Sequence, residues 1–314
     1  FHLMTHAFFK ALLFLAAGSV IMAMHHEQDI RKMGGLKKYM PITYWTALIG
    51  SLALIGFPGT SGFFSKDALI EAVRDSHWYE TDQFVYWMAY LSVLLGVFVT
   101  ALYSFRMFFL VFHGEERMAK KTKSHLHETP WVVTGPLILL AIPSAIIGWA
   151  TIEPMLFGNF FGDAIYVAKE HDVLGHLGAS FHGSAEFILH ALQGPAVYLA
   201  FTGAFAGWYL YLRRPEIPEI IRQKLSGVYE VLDRKYYFDD LYIKGFAAGG
   251  RRIGQFLWQK GDEVLIDGLI VNGTARSVAR FASVLRRIQT GYLYHYAFAM
   301  FVGATVILAW VLWS

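Results

Sequence analysis

Cysteine is absent from the chain, and charged side chains are scarce. None of the 314 residues is cysteine, and 16% are Asp, Glu, Lys or Arg against 55% hydrophobic residues. The lack of cysteine excludes disulfide bonds and thiolate-ligated metal sites. Since a soluble domain carries about 25% charged residues, the composition predicts an integral membrane protein. The net charge of +3 is small, and no basic cluster with interleaved aromatic residues suggests nucleic acid as a partner.

The chain begins with Phe1, inside an apolar segment. A signal peptide would show a positively charged start and a cleavage site of small residues, and neither pattern is present here. We therefore expect the chain to be the C-terminal part of a longer polypeptide.

Six apolar stretches are long enough, or nearly long enough, to cross a bilayer. A crossing helix needs about 20 predominantly apolar residues, and these stretches lack the strict alternation of barrel strands. We predict an all-α, polytopic membrane helix bundle. Its spans are expected at about 2–24, 41–74, 84–110, 131–152, 194–212 and 292–314.

The distribution of lysine and arginine predicts the topology. Both residues are concentrated in the connections 25–40, 106–130 and 213–291. By contrast, 75–83 has neither, and 153–193 has only Lys169. Because basic connections stay on the cytoplasmic side, we expect 153–193 to be an outer-side loop and the C-terminus to lie on the periplasmic-type side. The histidines of this loop are expected to lie on a solvated face.

The first span carries three titratable side chains. His2, His6 and Lys10 follow an i, i+4, i+8 spacing, which places them on one stripe of a helix. A charged lysine near the bilayer centre costs at least about 3 kcal/mol on insertion scales. Such a residue faces protein or water and is typically functional. Because histidine titrates near neutral pH, the stripe favours a proton path over a structural ion pair. A metal site at His2 and His6 is disfavoured, since the sequence offers no third ligand nearby.

The second span, 41–74, is too long for one ordinary crossing and contains helix-breaking residues. Proline lacks an N–H, and glycine adopts non-helical backbone angles. We predict a discontinuous helix that places Lys66 and Asp67 beyond the break, toward the outer half. The alternative is an ordinary helix end, with Ser65 or Asp67 as the cap of an interfacial helix. The residues predicted to form the break are Gly56, Pro58, Gly59 and Gly62.

The connection 213–291 is too polar to span a membrane. Helical periodicity is present at about 239–260 and 269–288, with apolar residues along one face. Glycines between and within the two stretches suggest breaks, at Gly261, Gly268 and Gly273. Periodicity alone favours an amphipathic helix on lipid; the alternative is a brace across other subunits.

Several motifs follow one another in an ordered series. They are HLMTHAFFKALLFLAAGSVI, EQDIRKMGGL, GFPGTSGFFSKD and YSFRM, and later KYYFDDLY and WQKGDEVLIDGL. In this order they resemble the antiporter-like L subunits of respiratory complex I, the proton-translocating NADH:quinone oxidoreductase. The resemblance implies that Lys10, with His2 and His6 beside it, carries protons on a central axis. It implies the same role for Lys66, with Asp67 adjacent, in the outward half-channel.

The resemblance also changes the expectation for the polar connection. It implies that 239–291 is a lateral helix that runs over neighbouring antiporter-like subunits, with the final span as its anchor. The acidic residues singled out on that helix are Asp239, Asp240 and Asp267.

The resemblance further implies a subunit of a translocase with no redox chemistry of its own. FMN, iron–sulfur clusters and quinone would belong to other subunits. The implied partners are the other membrane-arm subunits, lipids and protons, in an energy-transducing membrane, most simply a bacterial inner membrane. The chain departs from the family in having Met22 where many relatives have histidine. The family's other discontinuous helix and its Glu–Lys pair are not in this chain.

Two alternatives remain open at this point. A subunit of a Mrp-type cation/proton antiporter would share the two-lysine core, although the lateral helix and anchor favour complex I. A purely structural brace, whose polar side chains do not translocate protons, is the other.

Overall fold

The structure is a computed structural model that describes residues 1–168 and 171–314, so Lys169 lies outside the described part. All regular elements of these residues are helical, which confirms the predicted all-α class. They form two units, Phe1–Lys224 and Leu225–Ser314. The helices of the first unit are α1 (His2–Ala23), α2 (Pro41–Ile55), α3 (Ser61–Arg74), α4 (Trp78–Thr81), α5 (Gln83–Phe112), α6 (Lys120–Ser124), α7 (Trp131–Ile152), α8 (Val173–Ala179), α9 (Ser184–Ala191), α10 (Pro195–Trp208) and α11 (Glu216–Lys224).

Within the described residues, four helices are long and apolar enough to cross a membrane. They are His2–Ala23, Gln83–Phe112, Trp131–Phe157 and Leu293–Trp313. A fifth crossing is obtained if Ser184–Ala191 and Pro195–Arg213, which meet at 69°, form one bent span. These helices confirm a polytopic membrane bundle. The stretch 41–74 is two short helices, α2 and α3, and neither has the length of a full span.

The main core lies where α1, α2, α5 and α7 meet. α2 begins with Pro41, whose fixed φ and missing N–H suit the first position of a helix. Aromatic rings of α2 and α5 pack on one another, with the Tyr44 and Phe108 ring centres 5.3 Å apart. Aliphatic side chains from α1 and α7 complete the cluster, among them Leu12, Ala16, Val20, Leu137 and Ala141.

Small residues allow α10 to pack tightly along α5. A Cβ atom on Gly203 would lie 2.5 Å from the carbonyl oxygen of Phe98 and 2.7 Å from the Cβ of Ala101. One turn later, Gly207 lies against Phe105. Glycines four residues apart let two helix backbones approach each other, a packing common between helices in membranes.

A carboxylate from the connection before α7 caps the start of α2. Glu128 accepts hydrogen bonds from the backbone N–H groups of Ile42, at 2.7 Å, and Thr43, at 3.2 Å. It also accepts from the Thr43 hydroxyl at 2.7 Å. That hydroxyl lies 2.9 Å from the hydroxyl of Ser19 on α1, which in turn lies 2.7 Å from Thr129. The network joins α1 and α2 to the connection that precedes α7.

The second unit is dominated by one long helix. It contains α12 (Ser226–Asp233), α13 (Phe238–Asp240), α14 (Ala248–Phe256), α15 (Asn272–Ile288) and α16 (Leu293–Trp313). The wider helical turns Leu241–Ala247 and Leu257–Val271 join α13, α14 and α15 into a continuous helix, 238–288. The predicted breaks at Gly261, Gly268 and Gly273 are therefore wrong.

Ion pairs stabilise the start of this long helix. Asp239 pairs with Lys235 at 2.6 Å, and Asp240 pairs with Arg234, at 3.7 Å, and with Lys244. The hydrogen bond from Lys244 is the largest cause that lowers the pKa of Asp240 below its usual value. Asp267 lies further along, on the exposed surface of the second unit.

Removing the Glu128 carboxylate is expected to destabilise the first unit. Glu128→Ala would leave the first N–H groups of α2 without their acceptor, and loss of a helix cap costs about 1–2 kcal/mol. The protein should therefore unfold at a lower temperature in detergent. Glu115→Ala, at an exposed residue of the preceding connection, is the matched control. Equal unfolding temperatures for the two variants would contradict the capping role.

Candidate functional site

The end of α2 is closed by a glycine in the left-handed region. Gly56 has φ +75°, and its N–H donates to the Ala53 carbonyl at 3.2 Å. The N–H of Phe57 donates to the Leu52 carbonyl at 2.9 Å. This pair of hydrogen bonds is the Schellman motif, in which an αL glycine lets the chain turn back over the last turn of a helix. It occupies two terminal carbonyls and leaves that of Leu54 available.

A tight turn then separates α2 from α3. The N–H of Thr60 donates to the Phe57 carbonyl at 3.0 Å, with Pro58 and Gly59 as the central residues. Gly59 has φ +89°. Proline followed by a residue with positive φ is the requirement of a type II turn. The sequence FPGT therefore has a specific backbone conformation, and α3 begins directly after it at Ser61.

The start of α3 is pressed against α2 and α7. A Cβ on Gly62 would overlap the carbonyl group of Ala53, so only glycine fits at this approach. The hydroxyl of Ser61 donates to the carbonyl of Pro143 at 2.7 Å and accepts from the N–H of Gly148 at 2.9 Å. Contacts on both sides fix the direction in which α3 leaves the break.

Lys66 extends back across the break toward the end of α2. Its ammonium donates a hydrogen bond to the available carbonyl of Leu54. The C-terminal end of a helix carries a partial negative charge, so α2 offers both an acceptor and a favourable potential to this cation. Ser65 and Asp67 lie inside α3, which starts at Ser61. The alternative in which either of them caps a helix is therefore wrong.

The hydroxyl of Ser65 connects α3 to α1. It lies 2.9 Å from Nδ1 of His2 and accepts from the Thr5 hydroxyl at 2.8 Å. Ser65 and Thr5 are both buried. The sequence prediction considered Ser65 only as a helix cap and did not include Thr5, although Thr5 stands at i+3 from His2 on the predicted stripe.

The titratable stripe of α1, His2, His6 and Lys10, begins at this contact. The ring centres of His2 and His6 are 5.6 Å apart. His6 interacts electrostatically with both Lys10 and Lys66, and the two lysines interact with one another. Lys10 is half-buried. The structure thus brings His2, His6, Lys10 and Lys66 into one electrostatic cluster.

Asp67 faces a different direction from Lys66. The ion pairs among the described residues do not include Lys66 with Asp67. Asp67 instead interacts electrostatically with Glu71 and Arg74 along the same helix. It is 7% exposed, and within the described residues its Oδ2 atom has no hydrogen-bond partner. A cavity of about 20 Å³ touches both Lys66 and Asp67, enough for one water molecule.

One helical turn beyond Asp67 lies a second buried carboxylate that the sequence prediction missed. Glu71 is 8% exposed. Its Oε1 atom is 3.1 Å from Nδ1 of His190 and 3.6 Å from the guanidinium of Arg74. The signal that could have found Glu71 is its i+4 spacing from Asp67. His190 is exposed, as expected for the histidines of 153–193, but its ring also contacts the bundle.

Metal binding is not favoured by these side chains. In the parts of the chain that the structure describes, no group of three His, Cys, Asp or Glu residues is arranged to hold a metal ion.

The electrostatic cluster of His2, His6, Lys10 and Lys66 lies beside hydroxyl groups and a water-sized cavity. Groups that exchange protons in such surroundings are suited to moving protons.

A side chain at Gly62, where α3 approaches α2 closely, is expected to disturb this site. In Gly62→Ala the new methyl would overlap the Ala53 carbonyl and push α3 away from α2, and overpacking of this kind costs about 1–3 kcal/mol. The protein should be less stable in detergent, and Lys66 should lose its contact with Leu54. Gly96→Ala, where a Cβ meets nothing within 4 Å, is the control. Normal stability of Gly62→Ala would contradict the packing described here.

Comparison with known proteins finds a family model that matches the part of the chain containing this site. The family model described as "NADH:quinone oxidoreductase/Mrp antiporter, TM" matches residues 1–93. This part of the chain contains α1, α2, the break and α3. The model's description covers both complex I and Mrp antiporters.

Individual relatives match the chain over nearly its whole length. NADH-quinone oxidoreductase subunit L of Neisseria meningitidis serogroup A is 49% identical over 100% of this chain and 48% of its own length. The subunit of the same name from Rhodobacter capsulatus is 34% identical, over 99% of this chain and 51% of its own. NADH-ubiquinone oxidoreductase chain 5 of Marchantia polymorpha is also 34% identical, over 100% and 46%. The chain spans about half the length of these relatives. Over the part that it spans, its sequence is similar to NADH-quinone oxidoreductase subunit L and NADH-ubiquinone oxidoreductase chain 5.

Proposed function

We propose that this chain is part of a proton-translocating membrane subunit of respiratory complex I. In this role it moves protons through buried lysine and histidine side chains while NADH:quinone oxidoreduction takes place in other subunits. The observation that carries the proposal is the position of Lys66, held by the Leu54 carbonyl at the break between α2 and α3. A lysine in a membrane bundle without a carboxylate partner can exchange its proton more readily than one fixed in an ion pair.

The proposed route runs between α1 and α3. Lys10 receives a proton on the axis of the bundle, and His6 and His2 pass it toward Ser65 and Lys66. Histidine suits this step because one ring nitrogen can accept a proton while the other releases one. The contact from His2 to Ser65 at 2.9 Å and the 5.6 Å separation of the two histidine rings support the order. Asp67 lies on the far side of Lys66, next to the water-sized cavity.

The second unit supports a bracing role toward other membrane-arm subunits. The helix 238–288 has large exposed apolar residues along its length, such as Ile243, Phe256 and Val278. Basic residues on α15 occupy other positions, among them Arg276 and Arg280. A long helix with an apolar face and a basic face can contact helix ends of neighbouring subunits while it stays at the level of lipid headgroups. We propose that neighbouring antiporter-like subunits cover this face and that α16 anchors its end in the membrane.

The remaining partners follow from the same assignment. FMN, iron–sulfur clusters and quinone would be held by other subunits of the complex, and lipids and protons would be the direct partners of this chain. The proposed location is an energy-transducing membrane, with the bacterial inner membrane as the simplest case and the C-terminus on its outer side.

Replacing Lys66 tests the translocation role. In the assembled complex, Lys66→Ala should lower the number of protons pumped per NADH oxidised, or the rate of turnover, by about tenfold or more, since positioned proton carriers contribute at least about 10²-fold. The measurement is proton uptake into membrane vesicles with NADH oxidation followed in parallel. Lys120→Ala, at an exposed position in α6, should behave like the unmodified complex.

Two results would count against the assignment. Unchanged stoichiometry and unchanged activity in Lys66→Ala would rule out Lys66 as a carrier. Sodium-dependent transport without NADH oxidation, in a purified complex that contains this chain, would assign it to a Mrp-type antiporter instead.

Deleting 239–314 tests the bracing role. Without the long helix and its anchor, we expect much less assembled membrane arm, because the subunits that the helix spans lose a common contact. The measurement is the amount of intact complex on a native gel.

A matched pair of point variants distinguishes the effect of an interrupted helix from the effect of a shortened chain. Gly261→Pro should interrupt the helix and lower assembly, since proline in a helix interior costs about 3 kcal/mol. Gly261→Ala should not, because a Cβ at this position meets nothing within 4 Å. Normal assembly and pumping of the deletion variant would refute the brace.

A further inference from the structure

The contact between Glu71 and His190 joins α3 to a helix that is remote from it in the sequence. The two residues are 3.1 Å apart through Oε1 and Nδ1. Glu71 is the next acidic residue along α3 after Asp67, one turn away. Its carboxylate therefore lies between the buried end of the Lys66 site and the exposed ring of His190.

Exposure to solvent rises sharply at the last of these groups. Asp67 is 7% exposed and Glu71 is 8% exposed, whereas the side chain of His190 is 61% exposed. A cavity of about 170 Å³ lies at the same place, and Glu71 and His190 both line it. A proton that reaches Glu71 thus has one titratable ring between it and bulk water.

Packing holds His190 over Glu71. Helix α9 carries Phe187, Ile188 and Ala191 on the face turned to the bundle, in one cluster with Phe63 and Phe64 of α3. The Phe64 and Phe187 rings stack with centres 6.1 Å apart. The hydroxyl of Ser184 also donates to the carbonyl of Trp149 at 3.1 Å. The ring of His190 is consequently positioned by buried contacts, and not only by its attraction to Glu71.

Other charged groups line the same cavity as this pair. Arg74 lies 3.6 Å from Glu71 and is itself held by Asp75 at 2.8 Å. His182 and Glu186 line the same cavity, and their side chains contact each other at 3.8 Å.

We propose that Glu71 and His190 form the proton-release step of this site, carrying protons from Asp67 to the solution beyond 153–193. Protonated Asp67 gives its proton to the Glu71 carboxylate, directly or through one water. Glu71 then protonates Nδ1 of His190, and the imidazolium formed loses its Nε2 proton to bulk water. Asp67 and Glu71 end as carboxylates and His190 as a neutral ring with its proton on Nδ1. Proton exchange with bulk water then returns that proton to Nε2, which frees Nδ1 for the next transfer, so that one proton crosses for each cycle. This inference rests on the proposed function of the chain.

The experiment uses the complete complex in sealed vesicles and follows the initial rate of membrane-potential formation driven by NADH. Glu71→Gln and His190→Ala should each lower this rate by roughly tenfold or more, as expected for loss of a positioned proton carrier. The double variant should be no slower than the slower single variant, because groups in series are not additive. His182→Ala, which removes a neighbouring histidine outside the route, should match the unmodified complex.

Chemical rescue separates proton transfer from a merely structural contact. Imidazole on the side where protons are released should restore at least about half of the lost rate in His190→Ala, because the exposed site admits a small base. It should not restore Glu71→Gln, whereas Glu71→Asp, which keeps a carboxyl group, should retain part of the rate. All rates are compared at equal amounts of assembled complex on a native gel.

The outcomes are distinguishable from failure of the proposed function. If Lys66→Ala lowers pumping while His190→Ala is normal, or while His190→Ala is slow but not rescued by imidazole, the release step proposed here is overturned. If Lys66→Ala itself pumps normally, the translocation role fails and the release step fails with it. Slow single variants, a non-additive double variant and rescue of His190→Ala together support the proposal.

Discussion

The bond between the Lys66 ammonium and the Leu54 carbonyl is the interaction on which the site depends. A helix interrupted inside an apolar bundle exposes carbonyl groups that need donors, and a lysine in the same place needs acceptors. At this break the Lys66 ammonium is the donor and the Leu54 carbonyl is the acceptor, so both groups are satisfied by one hydrogen bond. Gly56 closes α2 so that one carbonyl stays available, the turn at Pro58 reverses the chain, and Gly62 brings α3 close enough for Lys66 to reach back. The backbone conformation and the position of the charge are thus one structural unit.

This unit also explains why α3 can carry so many polar groups. Its first turns lie between α1, α2 and α7, where Ser61 and Ser65 find partners on other helices. Further along, Glu71 contacts His190 of α9. The two ends of one short helix therefore serve different environments.

The parts of the fold governed by local rules were predictable from the sequence. Apolar length predicted the four helices that are long enough to cross a membrane. Helical spacing predicted the stripe His2–His6–Lys10, and proline with glycine predicted an interruption between Ile55 and Ser61. Contacts between residues distant in sequence were not predictable, because no local pattern brings Thr5 to Ser65 or His190 to Glu71. The helix breaks predicted at the glycines of 238–288 were wrong for a different reason. A glycine inside a helix costs only about 1 kcal/mol relative to alanine, too little by itself to end a long helix.

The Schellman ending of α2 has a chemical consequence for the lysine it receives. A backbone carbonyl accepts hydrogen bonds but does not take up protons near neutral pH. Leu54 can therefore orient and stabilise the charged form of Lys66 without ever competing for its proton, unlike a carboxylate in the same position. The break therefore supplies an acceptor that holds the ammonium and does not itself take the proton, so the group that removes the proton from Lys66 must be a titratable side chain or a water molecule near it.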